Sequence, residues 1–241
     1  MSNVTPEVIA NYLIGYWQDG IKEDLEKGLI QKEEDIRARI NHKFFIKNYE
    51  NYRIYNEVLI GRKQKQGKKR NWKLVDTVIF KDKKDENKIT EYYPSILIEY
   101  KCWSTDFGDL DKFKEIIEGY KESNKTKLPN ILLFFAIWDD RKGEIYNEFE
   151  TTVEKLKIPG YKYIKPESKS ESKPDPIIKY QDENNNANKK FEEFFYIYHK
   201  HYYQDIANTN WILNSKSTKK IEKRKIIMTH AVFKQSTKIK N

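Results

Sequence analysis

Two short apolar runs carry the residues that could do chemistry. In the first, from Lys73 to Phe80, a single acid, Asp76, stands among Leu74, Val75, Thr77, Val78 and Ile79. The second runs from Pro94 to Trp103 and ends on Glu99-Tyr100-Lys101-Cys102. Both have the length and the β-branched and aromatic content of buried strands. Because side chains alternate along a strand, Glu99 and Lys101 share one face, and Ile96, Ile98 and Tyr100 take the other. Burying two carboxylates requires compensating positive charge, and Lys101 alone cannot balance both Asp76 and Glu99. A divalent cation can. With only oxygen donors at hand and no nearby His or Cys cluster, Mg²⁺ or Mn²⁺ is expected rather than zinc. On a surface strand, by contrast, Glu-x-Lys would be no more than a charge pair.

An Asp followed on the next strand by Glu-x-Lys resembles the PD-(D/E)XK nuclease superfamily, the restriction-endonuclease-like fold. Asp76 stands for the first acid and Glu99-Tyr100-Lys101 for the second motif, with Val75 where many members have Pro. The resemblance implies that Asp76, Glu99 and the main-chain carbonyl of Tyr100 hold the cation. It also implies that Lys101, its pKa lowered by burial, orients a water or balances charge on a phosphate. The upstream segment Glu33-Glu34-Asp35-Ile36-Arg37 is similar to one in type I restriction enzyme nuclease domains, where the helix before the sheet adds an acid to the site. Glu33 is the expected residue, as a ligand through water or as a group orienting Lys101. Glu34 is displaced toward solvent, and Glu57 is a third candidate. One departure stands out: the type I enzymes often carry Gln-x-x-x-Tyr on the helix after the motif, and here Ile116 occupies the Gln position before Tyr120.

These residues need a scaffold to bring them together. Thr5-Pro6 starts a helix with Thr as N-cap, and Gly20 is expected to end it. A second helix is expected from about Ile30 to Asn48, with Ile36, Ile40 and Phe44 on one stripe and Glu33–Arg37 and Asp35–Arg39 as i,i+4 pairs. Strands follow over Tyr52–Ile60, Lys73–Phe80 and Pro94–Trp103. Next come a helix through Ile116, Ile117 and Tyr120, a buried strand over Asn130–Trp138, a helix over Glu144–Leu156 and a short strand over Tyr161–Ile164. The expected class is α/β: a restriction-endonuclease-like core, in which a mixed central sheet is flanked by helices, with an N-terminal helical segment and a C-terminal helical, basic extension. The core would span 1–165. A linker rich in Ser, Pro, Asn, Glu and Lys follows over 166–190, then an aromatic helix and basic tail over 191–241. His199 and His201, two apart on that helix, point away from each other and are not expected to bind a metal.

Lys and Arg exceed Asp and Glu by nine (46 − 37), which favours a polyanionic partner. Nucleic acid, DNA first, is the expected one. Two segments concentrate the excess. Arg62, Lys63, Lys65, Lys68, Lys69, Arg70 and Lys73 form a run without acids that reads as a phosphate-contacting hairpin loop. Ser215–Asn241 holds nine basic residues against Glu222 alone, which reads as a backbone-clinging tail whose removal near Asn214 would spare the chemistry. The single cysteine, Cys102, excludes a disulfide framework, and neither a leader peptide nor a membrane span is indicated, so a cytoplasmic location is expected. The chain has no Walker A run, Gly-x-Ser-x-Gly elbow or His-Glu-x-x-His helix. A metal-dependent nuclease is therefore the leading expectation. A catalytically inactive nucleic-acid-binding module of the same fold and an RNA-directed defence nuclease remain alternatives, and a homodimer is left open.

Overall fold

The computed structural model describes residues 4–26, 29–62, 71–85, 88–104, 106–122, 127–139, 144–164 and 226–236. In chain order these form α1 (Pro6–Tyr16), a π-helical turn (Trp17–Ile21), α2 (Lys22–Glu26), α3 (Glu33–Lys47), β1 (Tyr52–Arg62), β2 (Asn71–Asp85) and β3 (Lys88–Cys102). They continue with α4 (Gly108–Glu122), β4 (Ile131–Asp139), α5 (Ile145–Lys155), β5 (Tyr161–Ile164) and β6 (Ile226–Gln235). One mixed sheet has the order β1-β2-β3-β4-β6-β5. β3 and β4 are parallel, joined through α4, and the other neighbours are antiparallel.

The sheet is covered on both faces, which is why its central strands read as unbroken apolar runs. On β3 and β4, Ile96, Ile98, Tyr100, Leu133, Phe135 and Ile137 pack toward Ile9, Leu13, Trp17, Ile36 and Ile40 of the N-terminal helices. Trp17 lies against Phe135 with ring centroids 4.6 Å apart. Their alternates Leu97, Leu132, Phe134 and Trp138 pack toward Leu110, Phe113 and Ile117 of α4 and Phe149 and Val153 of α5.

Gly20 does not end the first helix. The chain continues through the π turn into α2, and a Cβ at Gly20 would collide with the Tyr16 ring, so glycine here serves close packing rather than termination. The helix expected from Ile30 begins at Glu33, where Asp35 accepts from the backbone N–H groups of Gln31 (2.9 Å) and Lys32 (3.2 Å). It ends on Asn48 in the left-handed conformation.

The C-terminal segment departs most from expectation. Residues 226–235, read above as part of a basic tail, form β6, which lies between β4 and β5 and pairs from Ile226↔Asp139 to Lys234↔Ile131. Ile227, Ala231 and Phe233 are buried on the α4–α5 side, and Lys234 is paired with Glu7 at 3.2 Å. Counting charge over the segment hid an eight-residue run, Ile226 to Phe233, that holds no charge but the titratable His230. His230 is itself buried beside Phe135, and burial pushes its pKa down to about 4. The expected linker over 166–190, the aromatic helix with His199 and His201, and the rest of the expected tail lie outside the described residues.

Candidate active site

The site forms where β2 leaves β3. Pairing between them holds from Asp85↔Lys88 to Thr77↔Ile98, and beyond that point β2 is laddered only to β1. Glu57, opposite Asp76 on β1, has φ 52°, an uncommon conformation for a residue with a side chain. The ribbon changes face here: Ile54 and Ile79 belong to the N-terminal-helix side of the core, whereas Val58, Ile60 and Val75 belong to the α4 side. The outer hairpin is thus folded over α4, where Lys73 pairs with Glu115.

The divergence leaves the end of β3 without a strand partner on its β2 side, while β4 still pairs on the other, and two acids fill the gap. Asp76 Oδ2 accepts from the Tyr100 N–H at 2.9 Å, and Glu33 Oε1 accepts from the Cys102 N–H at 3.2 Å. Trp103, with φ 61°, donates its indole N–H to the Gln31 carbonyl at 2.8 Å, tying the end of β3 to the start of α3. Glu33 is half-buried at the first turn of α3, whereas Glu34 is exposed beside Lys32. The arginines expected to pair within this helix reach elsewhere, Arg37 to Glu57 at 3.1 Å and Arg39 to Asp24 at 2.9 Å. The exposed Glu57 is thus engaged by the largely buried Arg37.

Glu99 and Lys101 project from β3 toward α4, and there they meet two residues that sequence reasoning missed. Lys112 Nζ donates to Glu99 Oε2 at 2.7 Å, and Lys101 Nζ pairs with Asp109 at 2.7 Å. Lys112 also reaches Asp109 at 3.1 Å, closing a chain Lys101–Asp109–Lys112–Glu99. A signal existed in the sequence: Asp109 and Lys112 are opposite charges at i,i+3 flanking the apolar stripe of Leu110, Phe113 and Ile117.

Glu99 is fully buried; no donor reaches its Oε1, and its carboxyl lies within hydrogen-bonding reach of Asp76. Burial, reinforced by the neighbouring Asp76 charge, pushes its pKa up to about 9 against the pull of Lys112. Glu33 is also raised, by burial first and then by Asp76 and Asp109, although Lys101 opposes this. Lys101 runs against expectation. Burial would lower its pKa, but the contact with Asp109, helped by Glu33, more than offsets that and holds it above its ordinary value. Lys112 is raised in the same way by Glu99 and Asp109, while both ammoniums hold Asp109 below its ordinary value.

Four carboxylates (Glu33, Asp76, Glu99, Asp109) therefore face two ammoniums (Lys101, Lys112), a deficit of two positive charges (4 − 2) when all are ionised. One divalent cation cancels that deficit, and an orphaned buried carboxylate oxygen beside a second carboxylate suits a hard cation. On both counts the donor set fits Mg²⁺ or Mn²⁺. Among the described residues no three His, Cys, Asp or Glu side chains already stand as a preformed cation site, and Lys112 occupies one of the Glu99 oxygens. For the expected basic loop, β1 extends to Arg62, while Lys63, Lys65, Lys68, Lys69 and Arg70 lie outside the described residues.

Compared with protein-family models, curated proteins and solved structures, the chain finds no match. Among the described residues, no helix is long and apolar enough to cross a membrane.

Proposed function

We propose that the protein is a metal-dependent nuclease of the PD-(D/E)XK type, with a restriction-endonuclease-like core, that hydrolyses phosphodiester bonds in DNA. The observation that carries this reading is the buried Glu99: one of its oxygens is reached by no donor, and it sits beside Asp76 in a cluster that is short of two positive charges once all four carboxyls are ionised. Support also comes from the element order, with Asp76 on the middle strand of a three-strand meander, Glu99 and Lys101 on the next, and a helix leading to a parallel neighbour.

Asp76 and Glu99, with the Tyr100 carbonyl, would hold Mg²⁺ or Mn²⁺, which supplies an acidified water and a counter-charge for the scissile phosphate. The protein groups divide the remaining work. Lys101 stays protonated at neutral pH because Asp109 holds it there, so its role is to stabilise charge on a phosphate oxygen rather than to take a proton. Glu33, bonded to the Cys102 N–H and within the field of Lys101, helps fix where that ammonium sits. The basic segment from Arg62 to Arg70, next in the chain to the Asp76 strand, would hold the nucleic-acid backbone across the site.

A second reading has its own support. With Lys112 on Glu99 and Lys101 on Asp109, the charges are partly paired without any cation, as a non-catalytic nucleic-acid-binding module would require. Incubation with duplex DNA, single-stranded DNA and RNA separates these readings. Cleavage of duplex DNA is expected with Mg²⁺ or Mn²⁺ and is expected to stop in excess chelator. Cleavage that persists in chelator would remove the proposed mechanism, cleavage of RNA alone would move the substrate, and binding without cleavage under all conditions would favour the module. Neutralising Lys68, Lys69 and Arg70 together is expected to lower both affinity and the single-turnover rate at saturation, because the loop positions the phosphate as well as attracting it. Loss of affinity alone would leave the loop only the second role.

A further inference from the structure

We propose that Lys112 is a phosphate-binding residue of this site that is stored on Glu99 in the cation-free protein, so that divalent cation and nucleic-acid phosphate bind cooperatively. This rests on the reading of the cluster as a nuclease centre and adds a residue and a coupling that the resemblance does not supply.

Three observations carry it. Lys112 is held on Glu99 Oε2 at 2.7 Å, while no donor reaches the other oxygen. Its side chain keeps 20% of its exposure although Glu99 has none, so it reaches into the cluster from the solvent side and can withdraw without crossing the core. Asp109, its second partner at 3.1 Å, already satisfies Lys101 at 2.7 Å and is fixed on the same helix. When Glu99 takes a divalent cation, Lys112 loses its strongest partner and is repelled by the new charge. It remains tethered beside Asp109, facing outward with donors to spare. An anionic oxygen is the ligand that such a displaced ammonium seeks, and the anion approaching this cleft is a backbone phosphate. Phosphate binding in turn keeps Lys112 off Glu99 and favours the cation, as reciprocity requires.

The experiment measures binding, independently of turnover. Affinity for a short duplex is followed across a salt series, in chelator and in a low fixed concentration of Ca²⁺, with duplex integrity checked on a denaturing gel. In the wild type, Ca²⁺ should tighten binding by a factor of about 10 and steepen the logarithmic salt slope by roughly 0.9, the mark of one more phosphate contact on duplex DNA. Whatever its affinity in chelator, Lys112→Met should lose the extra slope on adding Ca²⁺ and much of the tightening. Lys112→Arg should restore much of each, which guards against a general folding defect. Thermal melting of each variant reports whether the fold is kept. If Lys112→Met retains the Ca²⁺-dependent slope, or if wild-type slopes are equal with and without Ca²⁺, the inference is overturned. Wild-type cleavage in Mg²⁺ is scored separately, so the coupling can fail while the nuclease reading stands.

Discussion

A chain ending at Asn214 is expected to lose cooperative folding altogether. It lacks β6, and with it the central partner between β4 and β5. Nine paired positions of β4, from Ile131 to Asp139, would face water as an open edge, and β5 would lose the one sheet neighbour it has among the described residues. Ile227, Ala231 and Phe233 would vanish from the core shared with α4 and α5, and Met228 and Val232 from the opposite side. At roughly 1.5–3 kcal/mol for each large apolar side chain, the loss is of order 10 kcal/mol, comparable to the whole stability of a typical domain. Circular dichroism melting and limited proteolysis check this, with Phe233→Ala as the milder companion expected to cost about 3–5 kcal/mol yet keep a cooperative transition. A truncated chain that melts cooperatively at the wild-type temperature would show that β6 is dispensable.

Glu99→Gln is expected to abolish cleavage and, at the same time, stabilise the cation-free protein above neutral pH. For activity, the amide would remove the charge of a proposed cation ligand from the centre of the cluster, and a loss of at least ~100-fold is expected. For stability, the direction follows from protonation. Glu99 in the folded protein holds its proton up to about 9, whereas the unfolded chain releases it near the ordinary 4.5. The folded state therefore binds more protons across that window. The stabilising contribution is complete below the unfolded value and is lost as pH rises from there through about 9. The whole effect, from 4.5 to about 9, is about 6 kcal/mol at most, with the pull of Lys112 already included. Glu33, half-buried and also raised, adds to the same trend but remains in the variant. The introduced amide keeps an oxygen that Lys112 can donate to, so the pair is not simply broken. Urea unfolding midpoints at pH 5, 7 and 9 measure the effect: the wild type should fall more steeply than Glu99→Gln. Parallel pH profiles would mean that Glu99 is not the strained carboxyl described here, and undiminished cleavage would remove it from the chemistry.

The sheet thus divides its labour. Stability comes from strands buried on both faces, Ile131–Trp138 above all. The corner where β2 departs from β3 concentrates charge that opposes folding in the absence of a cation. A neutral substitution of the buried Glu99 is expected to improve the cation-free fold, whereas Asp76 and Glu33 also satisfy the β3 main chain.

Most elements were legible from the order of residues. Period-two alternation put Glu99 and Lys101 on one face and Ile96, Ile98 and Tyr100 on the other, as the two core layers bear out. Local patterns of this kind depend only on neighbours along the chain. Thr5, Ile36, Ile40 and Phe44 were readable for the same reason. Pairings between distant segments came only with the folded arrangement. No local rule places residues 226–235 between two strands that lie far upstream, because a strand gains its partner through a long loop closure that composition does not encode. Nor could alternation foresee that Asp109 would claim Lys101 and Lys112 would claim Glu99, which reverses the expected shift of the Lys101 pKa. Charge at a buried site is settled by which group arrives within hydrogen-bonding distance, and that distance is a property of how α4 crosses the sheet rather than of any stretch of residues.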